Sequence, residues 1–156
     1  MNFKPKLEKK GEGTRALVYE PITKYMAKDL ITFSEDTEII EVIDTLLEKH
    51  ISGAPVLNKN NEIIGVIDDK DCLGTIVDSV YHNAPIRKKK VSSYVTDVFK
   101  TISIEADIVD AANEFIKSNF KRLLVTDQNG KLKGQISRSD ILRAIKDVNR
   151  TNWPKQ

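Results

Sequence analysis

The sequence predicts a mixed α/β (α+β) fold: one β-α-β-β-α unit with a short preceding helix, built twice, the two pseudo-symmetric copies packed sheet to sheet. Three observations predict it. Residues 22–76 moved forward by 69 positions fall on residues 91–145 without a gap, placing Tyr25 on Tyr94, Thr32 on Thr101, Ser34 on Ser103, Ile39 on Ile108, Val56 on Val125, Gly65 on Gly134, Ile67 on Ile136, Asp71 on Asp140, Leu73 on Leu142 and Ile76 on Ile145. Within each copy, helix-spaced apolar residues alternate with short apolar runs bounded by turn residues. A three-stranded sheet with two helices also has too little core to stand alone, so two copies must cover each other's apolar faces. A period of this length exceeds a solenoid repeat and falls short of two ordinary domains.

Residues 1–20 read as a charged arm broken by Gly-Glu-Gly at 11–13. The first unit, 21–80, opens with one or two helical turns at 22–26, followed by a strand at 30–33. Ile39, Ile40, Ile43, Leu46 and Leu47 then form one face of a helix, with Asp36 and Thr37 expected to cap it. A short buried strand at 54–57 leads to the turn at 58–61, whose asparagines tolerate left-handed backbone. A third strand at 63–67 and a helix from 69 to about 81 complete the unit. Residues 81–90, with Pro85 and the run Arg87-Lys-Lys-Lys90, read as a linker.

The second unit, 91–148, repeats this order: strand at 99–102, helical face at Ile108, Val109, Ala112, Phe115 and Ile116, strands at 123–125 and 132–136, and a helix at 138–148. Asn129-Gly130 is a strong hairpin signal. Residues 149–156 read as a tail.

The bulk composition excludes several classes. Apolar residues make 40% and charged residues 31% of the chain, a globular mixture, and a net charge of +2 is too small to argue for nucleic acid. The run at 87–90 lacks the interleaved aromatics of a nucleic-acid platform. No stretch approaches a bilayer span, so no membrane partner is expected. The polar N-terminus has no signal-peptide core, and the single cysteine, Cys72, permits no internal disulfide, so a cytoplasmic location is expected. His50, His82 and Cys72 show no metal-ligand spacing and no nucleophile–base pairing. Cys72 reads as a small buried residue, and the repeat-matched Tyr25 and Tyr94 as packing. With no phosphate-binding loop or dinucleotide glycine fingerprint, neither catalysis, nor a catalytic cofactor, nor a metal is expected.

The stretch most suggestive of chemistry is Gly134-Gln-Ile-Ser137-Arg-Ser-Asp140, at the join of a strand and a helix. Gly134 lets packing or a ligand come close to the backbone. Ser137 stands where a hydroxyl caps the helix or meets an anion favoured by the helix N-terminus. Asp140, one turn in, has the geometry to accept hydrogen bonds from two ribose hydroxyls, or to complement the helix dipole. Arg138, with Lys121 and Arg122 upstream, offers positive charge to a phosphate.

The tandem unit, with GQISRSD at 134–140 and GVIDDKD at 65–71, resembles a pair of CBS domains (named for cystathionine β-synthase) over residues 22–147. The resemblance implies a pseudo-two-fold regulatory module, often a homodimer, that binds adenine nucleotides or nucleosides in the cleft between units and signals to a partner protein. It implies ribose binding by Asp140, ribose and phosphate contact by Ser137, a base held by Thr101 and Ile102, and a pocket lined by Lys121, Arg122, Leu123 and Leu124. The matching positions of the first unit are Thr32, Phe33, Ala54, Pro55, Asp68 and Asp71, a weaker site. There Asp68 replaces the serine, and two like charges at about 4 Å repel by roughly 1–4 kcal/mol. The first site is therefore expected to be empty, or to take an uncharged nucleoside, a cation or a metal. The alternative function is a structural dimerisation or docking module with no physiological nucleotide.

Overall fold

The computed structural model describes residues 20–83 and 85–152, so the arm at 1–19 and the end of the tail at 153–156 lie outside the described residues. The first half runs β1 (Phe33–Ser34), α1 (Ile39–Lys49), β2 (Gly53–Leu57), β3 (Ile63–Asp68) and α2 (Asp69–His82). The second runs β4 (Thr101–Ser103), α3 (Ile108–Lys117), β5 (Arg122–Thr126), β6 (Leu132–Ser137) and α4 (Arg138–Asn152). Short 3₁₀ turns at Ile22–Lys24, Ile86–Lys88 and Val91–Ser93 stand before and between the halves. Two three-stranded sheets form, in the orders β1-β2-β3 and β4-β5-β6. In each the first strand is parallel to the second, Phe33 opposite Val56 and Ile102 opposite Val125. This is the mixed fold expected, with a β-α-β-β-α unit in each half.

The chain divides into two compact bodies whose boundaries differ from those of the sequence repeat. Of the described residues, one body holds 20–28 with Lys100–Asn129 and 133–152; the other holds Asp29–Phe99 and Gly130–Leu132. The opening segment of each repeat thus belongs to the body built on the other repeat. Ile22, wholly buried, joins the core of Ile102, Ile108, Leu123 and Ile136. Val91, wholly buried, joins that of Phe33, Ile39, Val56 and Ile67. Backbone hydrogen bonds fix both exchanges. Ala27 and Gln135 trade two bonds of 2.9 Å along β6, while Val66 and Thr96 trade bonds of 2.8 and 2.9 Å along β3. Both β3 and β6 end their sheets, so these segments satisfy backbone groups that an exposed edge would leave open. The same segments also start the helices: Ile39 N–H donates to Lys89 C=O, and Ile108 N–H to Glu20 C=O, each at 2.9 Å.

The structure differs from the sequence expectations at the cap of α1 and in the first strands. The cap of α1 is Glu38, which makes no side-chain cap bond; Asp36 and Thr37 do not cap it, because the exchanged segment serves the helix start. Thr37 Oγ1 instead accepts from Ser34 N–H at 3.2 Å. The first strands are also shorter and later than expected, since β1 pairs only with Val56 and Leu57. Within the stretch read as a linker, the Lys89 ammonium lies 5.5 Å from the Tyr94 ring centre and 3.9 Å from Asp78.

The helical faces are narrower than the periodicity implied. Ile39, Val42 and Leu46 are buried in α1, whereas Ile40 and Leu47 are exposed; Ile108, Ala111 and Phe115 are buried in α3, whereas Ile116 is exposed. One sheet covers one stripe, so apolar residues beside it remain outside. The turns follow the sequence closely, with positive φ at Asn61 (60°) and Gly130 (76°).

Candidate functional site

Each body carries one strand-to-helix corner with the same construction. At the end of β6, Ser137 N–H donates to Asp140 Oδ2 at 2.8 Å, and Asp140 N–H donates to Ser137 Oγ at 3.3 Å. At the end of β3, Asp68 N–H donates to Asp71 Oδ2 at 3.0 Å, and Asp71 N–H to Asp68 Oδ1 at 2.8 Å. Both are reciprocal caps that serve orphan donors of a helix start. Of the two roles weighed for these residues, the structure shows the capping one, and it engages only Oδ2 of each of Asp140 and Asp71, leaving Oδ1 to other partners.

The second oxygens have different partners. Asp140 Oδ1 pairs with the Arg143 guanidinium, which also donates to Tyr25 C=O at 3.5 Å. Asp71 Oδ1 accepts from the Thr96 hydroxyl at 3.0 Å. Burial is the main force on Asp71: it raises the carboxyl pKa, opposed by the Asp68 N–H and the Thr96 hydroxyl, with the Asp68 charge raising it further. Asp140 is 8% exposed. The Arg143 side chain that covers this oxygen is itself 59% exposed.

The remaining expected site residues divide by what their side chains do. Thr101 is exposed at the start of β4, and Lys121 is exposed just before β5. Arg122, half-buried, opens β5. Ile102 and Leu123 are buried in the core of their body, and Leu124 is 1% exposed, so the side chains of all three are shielded from solvent. Arg138 is exposed, donates to Phe120 C=O at 3.2 Å and lies 5.9 Å from the Phe115 ring centre, which ties it to the end of α3. In the other body Thr32 is exposed, while Phe33, Ala54 and Pro55 are buried. All nine residues of the Asp140 set lie in one body, and all six of the Asp71 set in the other.

The two motif glycines answer the question of what approaches them. A Cβ at Gly134 would lie 2.7 Å from Ala27 O, and one at Gly65 would lie 2.4 Å from Thr96 O. Both positions serve close packing by the exchanged segment.

Sequence inspection missed Arg143 and Thr96 as partners of the two carboxylates. A signal was present: Arg143 falls on Gly74 under the 69-residue offset, a mismatch beside a matched aspartate. It also missed the hydroxyl bonds of the matched tyrosines, Tyr25 to Asp147 at 3.1 Å and Tyr94 to Asp78 at 2.6 Å, although Asp78 and Asp147 are themselves 69 apart.

Cys72 follows Asp71 in α2 and is buried. Burial, aided by the charges of Asp71, Asp68 and Asp69, pushes its thiol up to about 11. At pH 8 the native thiol is expected to alkylate about 100-fold more slowly than free cysteine, the rate rising with pH, because only the thiolate attacks. A native-state labelling time course checks this, and labelling at the free-thiol rate would contradict it. Among the described residues, no group of three or more His, Cys, Asp or Glu is placed to hold a metal ion, and no helix is long and apolar enough to cross a membrane.

Comparison with known proteins agrees with the geometry. The family model for the CBS domain matches residues 22–78 and 91–147. A relative from Methanocaldococcus jannaschii, the uncharacterized protein MJ1426, is 31% identical over 155 residues, covering 80% of this chain and 90% of its own. Another from the same organism, MJ1225, is 28% identical over 138 residues, covering 88% of this chain and 47% of its own length. The chain thus spans about half of one relative and most of the other. Among solved structures, CBSX2 of Arabidopsis thaliana in complex with AMP superposes with a TM-score of 0.72 at 25% identity, covering 84% of this chain and 99% of the other.

Proposed function

Because the chain belongs to the CBS-domain family, we propose that it is a regulatory module that binds an adenine nucleotide or nucleoside, with AMP, ADP and ATP as candidates, and signals to a partner protein through a change of shape or association. The observation that carries this reading is the buried Asp140 carboxylate, held at the first turn of α4 by the Ser137 N–H, with its other oxygen paired to the exposed guanidinium of Arg143. The AMP complex of CBSX2 supports the ligand class. Asp140 takes the ribose hydroxyls. Ser137 and the first-turn N–H groups of α4 face the phosphate, with Arg138, Lys121 and Arg122 around it. The backbone of Thr101 and Ile102 holds the base, beside Leu123 and Leu124. The Asp71 site, with Thr32, Phe33, Ala54, Pro55 and Asp68, is the weaker one.

Such a module does no chemistry; it works because its two states bind the ligand with different affinity. A homodimer is the assembly this reading favours, since α2 leaves Leu73, Ile76, Val77, Val80 and Tyr81 exposed and α4 leaves Leu142 and Ile145 exposed at matching repeat positions. A cytoplasmic setting is part of the same proposal.

Thermal denaturation and calorimetry of the full chain with adenosine, AMP, ADP and ATP test it. Ligand at a hundred times its dissociation constant is expected to stabilise the protein by about 2.7 kcal/mol, an effect that Asp140→Ala removes. Sedimentation with and without ligand reads the change of association. Silence across all four compounds overturns the proposal and leaves the docking module in its place.

A further inference from the structure

The two carboxylate corners match in construction and differ in charge. Over residues 68–74 three carboxylates, Asp68, Asp69 and Asp71, stand against Lys70, a net of −2; over the matched residues 137–143, Arg138 and Arg143 stand against Asp140, a net of +1. Two substitutions carry most of that difference. Ser137 replaces Asp68 as the capping side chain. Arg143 replaces Gly74 on the next helical turn, where its guanidinium reaches the very oxygen that Thr96 holds in the other corner. The structure adds Arg143 to what the serine-for-aspartate exchange alone implies, and both changes act in the same direction.

We propose that Arg143 sets the charge preference of the Asp140 site, selecting anionic adenine nucleotides over uncharged adenosine, and that its counterpart corner, with Gly74 and Asp68, excludes them. The inference rests on the function proposed above and deepens it. Arg143 is placed for this by two contacts, the Asp140 carboxylate and the Tyr25 carbonyl, which hold its charge beside the ribose-binding oxygen. Hydroxyl donors from a ribose release the guanidinium from Asp140 without removing it from the site, and its positive charge then acts on the phosphate. Among the described residues, the partner of the matching oxygen in the other corner is the Thr96 hydroxyl and carries no charge. Thr96 is neutral, Gly74 has no side chain, and a phosphate entering there meets the Asp68 carboxylate at the helix start.

Losing Arg143 has two separable effects. Freeing Asp140 Oδ1 changes adenosine and AMP binding alike, whereas removing the charge changes only their ratio. Calorimetric titration of adenosine and AMP into native protein, Arg143→Gly, Arg143→Lys and Asp140→Ala measures both. Native protein is expected to bind one AMP per chain. Arg143→Gly is expected to lower the AMP-over-adenosine preference by about tenfold, less at high salt, as a charge effect requires, and Arg143→Lys to retain it. Asp140→Ala, checked for folding by its thermal transition, is expected to bind no AMP. A preference unchanged in Arg143→Gly while both ligands bind overturns this inference alone, whereas a full AMP site surviving in Asp140→Ala overturns the Asp140 site of the proposed function as well. Binding of neither ligand to native protein overturns the proposed function and this inference with it.

Discussion

Gly65→Ala is expected to cost more than about 3 kcal/mol and to lower the melting temperature by more than about 10 °C, or to prevent folding of its body altogether. The added methyl would lie 2.4 Å from Thr96 O and 2.6 Å from Val95 Cγ2. The first of these is backbone, held by the bonds that Val66 and Thr96 exchange, so it cannot yield without the segment leaving β3. Gly134→Ala is the parallel case, with Ala27 O at 2.7 Å and Met26 Sδ at 2.8 Å; its sulfur end yields more easily, so the loss there is smaller. Gly130→Ala is the control. Its Cβ would meet nothing within 4 Å, and the remaining cost is that of a left-handed backbone at φ 76°, about 1 kcal/mol. Denaturant titration of the three variants checks the ranking, and a Gly65→Ala variant no less stable than Gly130→Ala contradicts it.

Much of the fold is legible in the sequence because a tandem copy makes every weak signal appear twice. The strands at 54–57 and 63–67 and the helix from 69 were read within a residue or so of β2, β3 and α2, since apolar runs and turn asparagines bound them locally. The cap of α1 depends on a segment arriving from the other repeat, and no local pattern encodes a partner many residues away; the length of β1 is set by its two-residue pairing with β2. The helical faces were read too wide for a related reason: Leu47 and Ile116 have the period of a core face, but what covers a helix is decided by the sheet beneath it.

The candidate site was legible in its frame and not in its electrostatics. Ser137, Asp140, Asp68 and Asp71 stand out as a matched pair of motifs, and the structure gives all four the same capping geometry. Arg143 was invisible to motif reading because it lies beyond the motif on the next turn of α4. It becomes evident only as a cation against Asp140. Thr96 was hidden for the opposite reason, being distant in sequence and brought to Asp71 by the exchanged segment.

That exchange has its largest consequence for where the chain tolerates cutting. A fragment spanning 29–99 follows the compact body, whereas one spanning 20–83 follows the sequence repeat. Contrary to the sequence expectation that one unit cannot stand alone, the first is expected to unfold cooperatively in denaturant, because Val91, Tyr94 and Val95 complete its core, and the second to show no cooperative transition. Fragment 20–83 lacks Val91, whose burial is worth about 1.5–3 kcal/mol, together with Tyr94 and Val95, which pack on the same core. It also lacks the Thr96 bonds that close β3 and the Lys89 carbonyl that receives the first N–H of α1. Domains this small rarely hold more than about 3–5 kcal/mol from one core, so the missing contacts exceed the stability available. In exchange, 20–83 gains only the segment around Ile22, whose partners Ile102, Leu123 and Ile136 are absent from it. Circular dichroism along a urea gradient decides the matter. Equal cooperative transitions in both fragments would mean that each repeat closes its own core and that the segments at 20–28 and 86–99 are accessories to it.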